Sequence, residues 1–421
     1  MVAMDPSEPD TTQREARDLA ELTGPGRVDI VRMALLGIDS GPREPADLDV
    51  DLHLSVEVDR VHHRPGAGVS VGYRVGYDDG GGARVNEYLV ASTAPRLPES
   101  ERVALLADGD RQVRVWRHPH DPALPGLAPA CDAATVHGWL TDLGRPPAAP
   151  VRLDLVSYRP SRRAVLRAGA GDDSVFVKVL PPRRAEALYR RHEVLTDAGV
   201  PTPRVLACPG PGVLMIERAR GHALAEAIAG AERNPGGLPG PDVLEAWLDS
   251  LPATVLELPA RPSWADRIDF HAEAARAALP AEAGRIDRLE TGLTELLART
   301  PDGPKVPTHG DFYEANVFTA DGGVSSVIDV DSVGPGRRSD DLGTMLGHVA
   351  VLPALAPHVY AHVPGIVKEW TAYFETRVDP VDLRARTAAV VLSLAAGTSP
   401  EQGAARLAVA EEWHADAQGR I

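Results

Sequence analysis

The sequence is short of four things, and each shortage excludes something. It has only two cysteines, Cys131 and Cys208, far apart in the chain. Two such thiols make neither a disulfide framework nor a zinc site, which needs Cys and His clustered at ligand spacing. No apolar run approaches the roughly 18 residues that span a bilayer as a helix. The start, Met1 to Pro6, lacks the apolar core of a signal peptide. Positive charge is outweighed: 44 Lys and Arg against 60 Asp and Glu give a net charge of −16. A nucleic-acid partner is disfavoured, because phosphate backbones demand basic patches. These shortages predict a cytoplasmic, reduced, soluble protein with no membrane and no nucleic acid as partner.

The fourth shortage is the sharpest. Only Lys178, Lys305 and Lys368 are lysines; every other basic residue is Arg. Lys178 sits inside the apolar run Val175 to Leu180. Lys is a compact point charge and Arg a planar fork, so a chain that avoids Lys has a chemical reason for one there. The alternative is an edge-strand Lys facing water.

What is present is ordinary for a globular protein: 421 residues, 43% apolar and 25% charged. That length supports a sizeable core and two or three structural units. Residues 1 to about 50 are rich in Pro and Asp, with helical patches at Glu15 to Leu22 and Val28 to Leu36. Period-two alternation predicts strands at Val56 to Val61, Val69 to Tyr77, Val85 to Ala91 and Gln112 to Arg117, with a hairpin turn at Asp78 to Gly82. A helix follows at Ala133 to Leu143, then a linker at Gly144 to Pro150. Strands at Leu153 to Tyr158, Ala164 to Ala168, Val175 to Leu180, Thr202 to Leu206 and Gly212 to Glu217 enclose a helix at Arg183 to Ala198. The Arg-Pro turn at Arg64-Pro65 echoes the one at Arg159-Pro160, which suggests a degenerate small-lobe-like β unit upstream; two unrelated hairpins are the alternative. Beyond Leu224 the pattern is largely helical: Pro241 to Leu258, Trp264 to Ala278, Ala281 to Arg299, Asp340 to Val351, Pro364 to Arg377, Pro380 to Ala396 and Pro400 to Ala417, with a strand at Val324 to Val330.

The chemistry concentrates in Pro307-Thr308-His309-Gly310-Asp311-Phe312-Tyr313-Glu314-Ala315-Asn316-Val317 and in Val327-Ile328-Asp329-Val330-Asp331. Phosphoryl transfer to a hydroxyl needs a carboxylate that orients the acceptor, with an amide and a second carboxylate that hold Mg²⁺ on the nucleotide. Asp311 fits the first role, and Asn316 with Asp329 the second. Asp331, placed on the same strand face as Asp329, would assist through water or a second metal; a turn-forming Asp before Ser332 is its alternative. His309 would brace the loop, and Asp341 would cap or brace it. Lys178 would hold α- and β-phosphates. Its carboxylate partner would be Glu186 or Glu193, two turns apart on the helix that follows. The hairpin from Tyr158 to Leu166 would lie over the phosphates, with Ser157, Ser161 and the backbone of Arg162 and Arg163 as donors. Gly68 to Gly72 fits G-x-S-x-G, but a strand continues after it, so the nucleophile-elbow context is missing. His62-His63 and His118-Pro119-His120 read as solvated loops.

The H-G-D-x-x-x-x-N loop, the I-D-x-D segment and the Lys178 strand resemble the aminoglycoside phosphotransferase family of small-molecule kinases. The resemblance covers roughly residues 151 to 421. It implies an α+β, bilobal protein-kinase-like fold with a small β-rich lobe and a large helical lobe, here with an additional N-terminal α+β cap domain. The implied domains are a cap at 1–150, a kinase-like N-lobe at 151–218 and a helical C-lobe at 219–421. The cap is similar to that of actinobacterial sugar kinases such as maltokinase and glucosamine kinase. By resemblance Asp311 is catalytic, Asn316 and Asp329 bind Mg²⁺, Lys178 binds ATP phosphates, and backbone groups near Ile216, Glu217 and Ala219 take the adenine. The expected function is ATP-dependent phosphorylation of a hydroxyl on a small polar molecule. A cationic acceptor suits the segment from His222 to Arg299, which has 13 acids against seven Arg. A nucleotide-binding module without turnover, or a biosynthetic-cluster tailoring kinase acting on a peptide or natural product, is the alternative.

Overall fold

The computed structural model describes residues 11–37, 54–63, 66–78, 83–109, 111–147, 150–301 and 303–420. Most of the expected Asp78 to Gly82 turn, part of the 144–150 linker and Arg64-Pro65 lie outside them. Contacts divide the chain into two compact units, Met1–Glu186 with Val205–Arg218 and Ala187–Arg204 with Ala219–Ile421.

The first unit opens with α1 (Thr11–Thr23) and α2 (Arg27–Gly37), followed by β1 (Ser55–His63), β2 (Val69–Asp78), β3 (Arg84–Ser92), β4 (Val103–Asp108) and β5 (Arg111–Arg117). After α3 (Leu127–Ala130) and α4 (Ala133–Asp142) come β6 (Leu153–Arg159), β7 (Arg163–Ala168) and β8 (Val175–Val179). Helix α5 (Pro182–Asp197) begins here and ends in the second unit, and the chain returns for β9 (Val205–Ala207) and β10 (Val213–Glu217). Sequence patterning misses β4, whose Val-Ala-Leu-Leu-Ala-Asp does not alternate.

Two antiparallel sheets result, ordered β1-β2-β3-β5-β4 and β6-β7-β8-β10-β9. The orders are the same, with the third strand beside the fifth in each. Alternation assigns the faces. In the first sheet Val71, Tyr73, Val75, Leu89, Ala91 and Val115 pack with Leu22, Val31 and Leu35 of the helices. Val90 and Trp116 point the other way, into a second core with Leu124, Leu127 and Val136. That second core also takes Tyr158, Ala164, Leu166, Val175, Val177, Val179, Val213 and Met215 of the second sheet. The N-terminal sheet and the small sheet therefore share one apolar core, which is why contacts gather them into one unit.

The second unit carries β11 (His222–Ala223), α6 (Leu224–Gly230), α7 (Pro241–Asp249), α8 (Ile268–Ala278) and α9 (Ala283–Arg299). Next come β12 (Val306–Thr308), β13 (Val317–Ala320), β14 (Gly323–Val327) and β15 (Gly334–Gly336). The chain ends in α10 (Arg338–Ala350), α11 (Leu352–Leu355), α12 (Val363–Phe374), α13 (Pro380–Ala395) and α14 (Pro400–Gln418). The helix expected over Pro241 to Leu258 stops at Asp249; Pro252, which has no N–H to donate, precedes a short 3₁₀ turn at Ala253–Glu257. Helix α13 is the centre, with Leu383, Ala388, Ala389, Val391 and Leu392 fully buried. Helix α10 approaches it closely because Gly347 lacks a Cβ, which would lie 2.8 Å from Val390 Cγ1. Among the described residues no helix is long and apolar enough to cross a membrane.

Candidate functional site

Two short ladders bring the motif segments together. Strand β12 pairs with β15 through Thr308↔Gly334, and β13 pairs with β14 through Val317↔Val327. The loop His309 to Asn316 leaves one ladder and enters the other. The segment Ile328 to Val333 makes the same passage in reverse, so the two lie side by side. Cross-bonds fix them: Ile328 N–H donates to the Asn316 carbonyl at 2.9 Å, and Thr308 Oγ1 donates to the Gly334 carbonyl at 2.8 Å.

His309 is fully buried. Its Nε2 lies 3.0 Å from the Ile328 carbonyl, and its Nδ1 is 3.3 Å from the Asp311 N–H. A carbonyl only accepts and an amide only donates, so the proton belongs on Nε2. Burial pulls its pKa down to about 4, against the nearby Asp329 charge. The ring is thus a neutral brace. Trp247 and Phe312 enclose it, Trp247 stacking on Phe312 at 5.5 Å and meeting the His309 ring edge-on at 5.8 Å.

Asp341, in the first turn of α10, anchors the loop from below. Its Oδ2 accepts from His309 N–H at 2.8 Å and its Oδ1 from Gly310 N–H at 2.7 Å. It is fully buried, and desolvation pushes it up to about 7 against the pull of those two amides. Gly310 has φ +77°, and a Cβ there would lie 2.7 Å from the Ser332 carbonyl. The motif's glycine is required twice over, by its left-handed backbone and by the neighbouring Ser332 carbonyl.

Asn316 is buried and gives its Nδ2 to the main-chain carbonyl of Asp311 at 3.0 Å. That leaves the amide oxygen as the only end that can accept a cation. Asp329 does not end a strand: β14 stops at Val327, and Asp329 takes a left-handed conformation at φ 59°. Such backbone costs on the order of 1 kcal/mol in a residue other than glycine and gathers at functional sites. Asp331 does not share a strand face with it, because Val330–Ser332 is a 3₁₀ turn. The turn reading of Asp331 therefore describes its place, and its charge acts on Arg191. Among the described residues no cluster of three or more His, Cys, Asp or Glu has metal-binding geometry. An amide oxygen and one carboxylate suit a hard Mg²⁺ that takes its remaining ligands from phosphates and water.

Lys178 lies in the other unit, on the central strand β8, with Val165 and Leu214 beside it on β7 and β10. It is 8% exposed, which excludes the edge-strand alternative. Period two puts it on the face opposite Val177 and Val179, away from the apolar core. Glu186 and Glu193 are both on α5 and both exposed. The helix instead turns Arg191 inward, 3% exposed, its Nε donating to the Val333 carbonyl at 2.9 Å. Sequence reading missed this residue because the chain is full of arginines. Ile216 and Glu217 end β10, and the boundary between units falls between Arg218 and Ala219.

The turn joining β6 and β7 is held by bonds within the protein. Arg162 N–H donates to the Arg159 carbonyl at 3.0 Å, and Ser161 N–H donates to Asp121 Oδ2 at 2.7 Å. These two amides are bonded within the protein. Ser157, on β6, is partly exposed. His62 and His63 lie in β1 rather than a loop, and His63 Nε2 is 3.0 Å from Glu15 Oε2. Ser70, in the rejected G-x-S-x-G, is a strand residue whose Oγ meets Ser92 Oγ at 2.7 Å.

Glu314, three residues past Asp311, was not singled out in the sequence. It is 7% exposed, and its Oε2 has no hydrogen-bond partner among the described residues. Burial pushes its pKa up to about 7. His348 Nδ1 approaches Oε2 at 3.9 Å, and Tyr313 stacks on the His348 ring at 4.1 Å. Burial, reinforced by Arg406, pulls His348 down to about 4, so the pair is not a charged one at neutral pH. Only burial reveals Glu314, and burial of one loop residue leaves no periodic trace in sequence.

Residues 160–364 match the model of the phosphotransferase enzyme family, APH. No curated protein matches the chain. Among solved structures the chain is similar to a thermostable variant of aminoglycoside phosphotransferase APH(4)-Ia in complex with AMP-PNP and hygromycin B. Identity is 17%, covering 68% of this chain and 98% of that one, with a TM-score of 0.44. It is also similar to a choline/ethanolamine kinase family protein from Mesorhizobium loti, at 17% identity over 68% of this chain and 98% of that one, TM-score 0.45. A third is APH(3'')-Id from Streptomyces rimosus, at 19% identity over 62% and 97%, TM-score 0.39.

Proposed function

We propose, from the match of residues 160–364 to the phosphotransferase enzyme family, that the chain moves the γ-phosphoryl group of ATP to a hydroxyl of a small, polar, cationic molecule. The observation that carries this reading is the pairing of the two motif segments, which sets the Asp311–Asn316 loop beside Asp329. Asp311 holds the acceptor hydroxyl in line and takes its proton as the new P–O bond forms and ADP departs. Asn316 and Asp329 hold Mg²⁺, which when bound screens the phosphate charge. Lys178 holds the α- and β-phosphates, a role suited to a buried point charge on a central strand. Backbone groups of Ile216, Glu217 and Ala219 take the adenine. Asp341 and the neutral His309 keep the loop in place, so that Asp311 is pre-positioned.

The excess of acids between His222 and Arg299 favours a positively charged acceptor. ADP release should be measured with MgATP against aminoglycosides, amino sugars, amino alcohols and neutral sugars. Acceptor-dependent release confined to amine-bearing compounds is the expected result. ATP binding without release for any acceptor would leave a nucleotide-binding module and overturn the proposal.

A further inference from the structure

The N-terminal sheet reaches the β6–β7 turn through one carboxylate. Asp121 is 3% exposed and follows β5. Its Oδ2 accepts from Tyr158 Oη at 2.8 Å and from Ser161 N–H at 2.7 Å. Its Oδ1 accepts from Ala123 N–H at 2.9 Å. Trp116 of β5 donates through Nε1 to Tyr158 Oη at 3.1 Å, and the His118 ring meets Tyr158 edge-on at 5.0 Å. A chain of buried hydrogen bonds thus runs from the first sheet into the turn.

That turn needs holding. Arg159 to Arg162 close it with one carbonyl-to-amide bond, Pro160 in the second position and Ser161 in the third at φ 59°. This is the pattern of a type II turn, whose third position normally calls for glycine. Ser161 is strained there, and its amide is the group Asp121 holds. Here a serine in a glycine's conformation, with its amide bound from outside, gives fixity.

We propose that Asp121 is a positioning residue that pre-organises the β6–β7 turn, so that a nucleotide meets a rigid cover whose ordering cost was met on folding. This rests on the proposed nucleotide reading. The turn amides at Ser161 and Arg162 are already satisfied, so the turn acts by shape and rigidity rather than as a phosphate cradle. Rigidifying a binding element in its bound form raises affinity by removing the ordering penalty.

The test uses the full chain, with Asp121→Asn and the double change Asp121→Asn/Ser161→Gly. Asparagine keeps the volume and one acceptor but can place an NH₂ against the Ser161 amide. Hydrogen exchange over residues 157–166 and MgATP affinity by calorimetry are both read. In the wild type, exchange in this segment should be slow and unchanged by MgATP. Asp121→Asn should make it fast without nucleotide and slow with it, and should weaken MgATP by about tenfold while exchange over β8 stays as it was. Adding Ser161→Gly, which removes the strain, should recover most of that affinity. If Asp121→Asn binds MgATP as the wild type does, the inference falls and the nucleotide reading stands. If affinity and exchange worsen alike throughout the unit and Ser161→Gly recovers nothing, Asp121 is only a fold residue and the inference falls. A wild type that does not bind MgATP overturns the nucleotide reading itself, and this inference with it.

Discussion

The side-chain amide of Asn316 donates to the main-chain carbonyl of Asp311 at 3.0 Å. One hydrogen bond therefore ties the residue that would hold the metal to the residue that would hold the acceptor. It fixes which end of the Asn316 amide is available, and it closes the loop between them as a small ring.

From this bond the two residues should fail differently. Asp311→Ala should lower kcat by about 10³-fold, with MgATP affinity kept within about threefold. Asn316→Ala removes both a metal oxygen and the loop bond, so MgATP affinity and kcat should fall together. Calorimetry with MgATP beside steady-state ADP release separates the two. Normal turnover by Asp311→Ala would remove Asp311 from the reaction.

Asp341 should matter through the loop rather than the chemistry. Asp341→Ala would leave the amides of His309 and Gly310 buried without acceptors, at about 1 to 3 kcal/mol each. Asp341→Asn keeps one acceptor oxygen and should cost about half as much. Chemical denaturation at fixed pH measures both. An alanine variant as stable as the wild type would mean that the loop finds other acceptors.

Much of this site was legible because its residues are constrained one by one. Gly310 must be glycine, His309 and Asp341 must brace, and the spacing from Asp311 to Asn316 follows from the bond that joins them. Lys178 was legible by its rarity, and its central strand by the apolar run around it. What stayed hidden depends on which side chains turn inward. On α5, Glu186 and Glu193 face solvent while Arg191 takes the inner side, and spacing alone does not tell these faces apart. Asp329 and Asp331 read as a strand because Val327, Ile328 and Val330 are apolar, but the left-handed turn at Asp329 is a backbone choice that composition does not announce. Strand β4 lacked alternation, and β12 and β15 are too short to show any.

Acid should unfold the second unit through its histidines. His309 and His348 both have folded pKa values of about 4, below their ordinary 6.5. A depressed pKa means that the unfolded chain binds the proton more readily. The stability these rings contribute is complete above 6.5 and is lost as pH falls through about 4. Each accounts for on the order of 3 kcal/mol across that window. His348→Gln, which cannot take up a proton, should flatten the fall in the unfolding midpoint between pH 6.5 and 4. An unchanged slope would show that His348 is not the neutral, buried ring described.

Glu314 should give the opposite slope. Its folded pKa, raised by burial to about 7 from 4.5, means that the folded state resists losing the proton. Stability is full below 4.5 and falls as pH rises through about 7, because the unfolded chain ionises first. Glu314→Gln keeps the shape and removes the titration. The variant should therefore gain on the wild type as pH rises from 4.5 to 7, by up to about 3 kcal/mol, and hold a constant lead above it. Denaturation midpoints at pH 5, 6, 7 and 8.5 for both proteins check this. A lead that does not grow with pH would mean that a cation or hydrogen-bond donor already satisfies the Glu314 carboxylate in solution. Its Oε2 would then belong to an occupied site, and substitution should show in acceptor KM before it shows in stability.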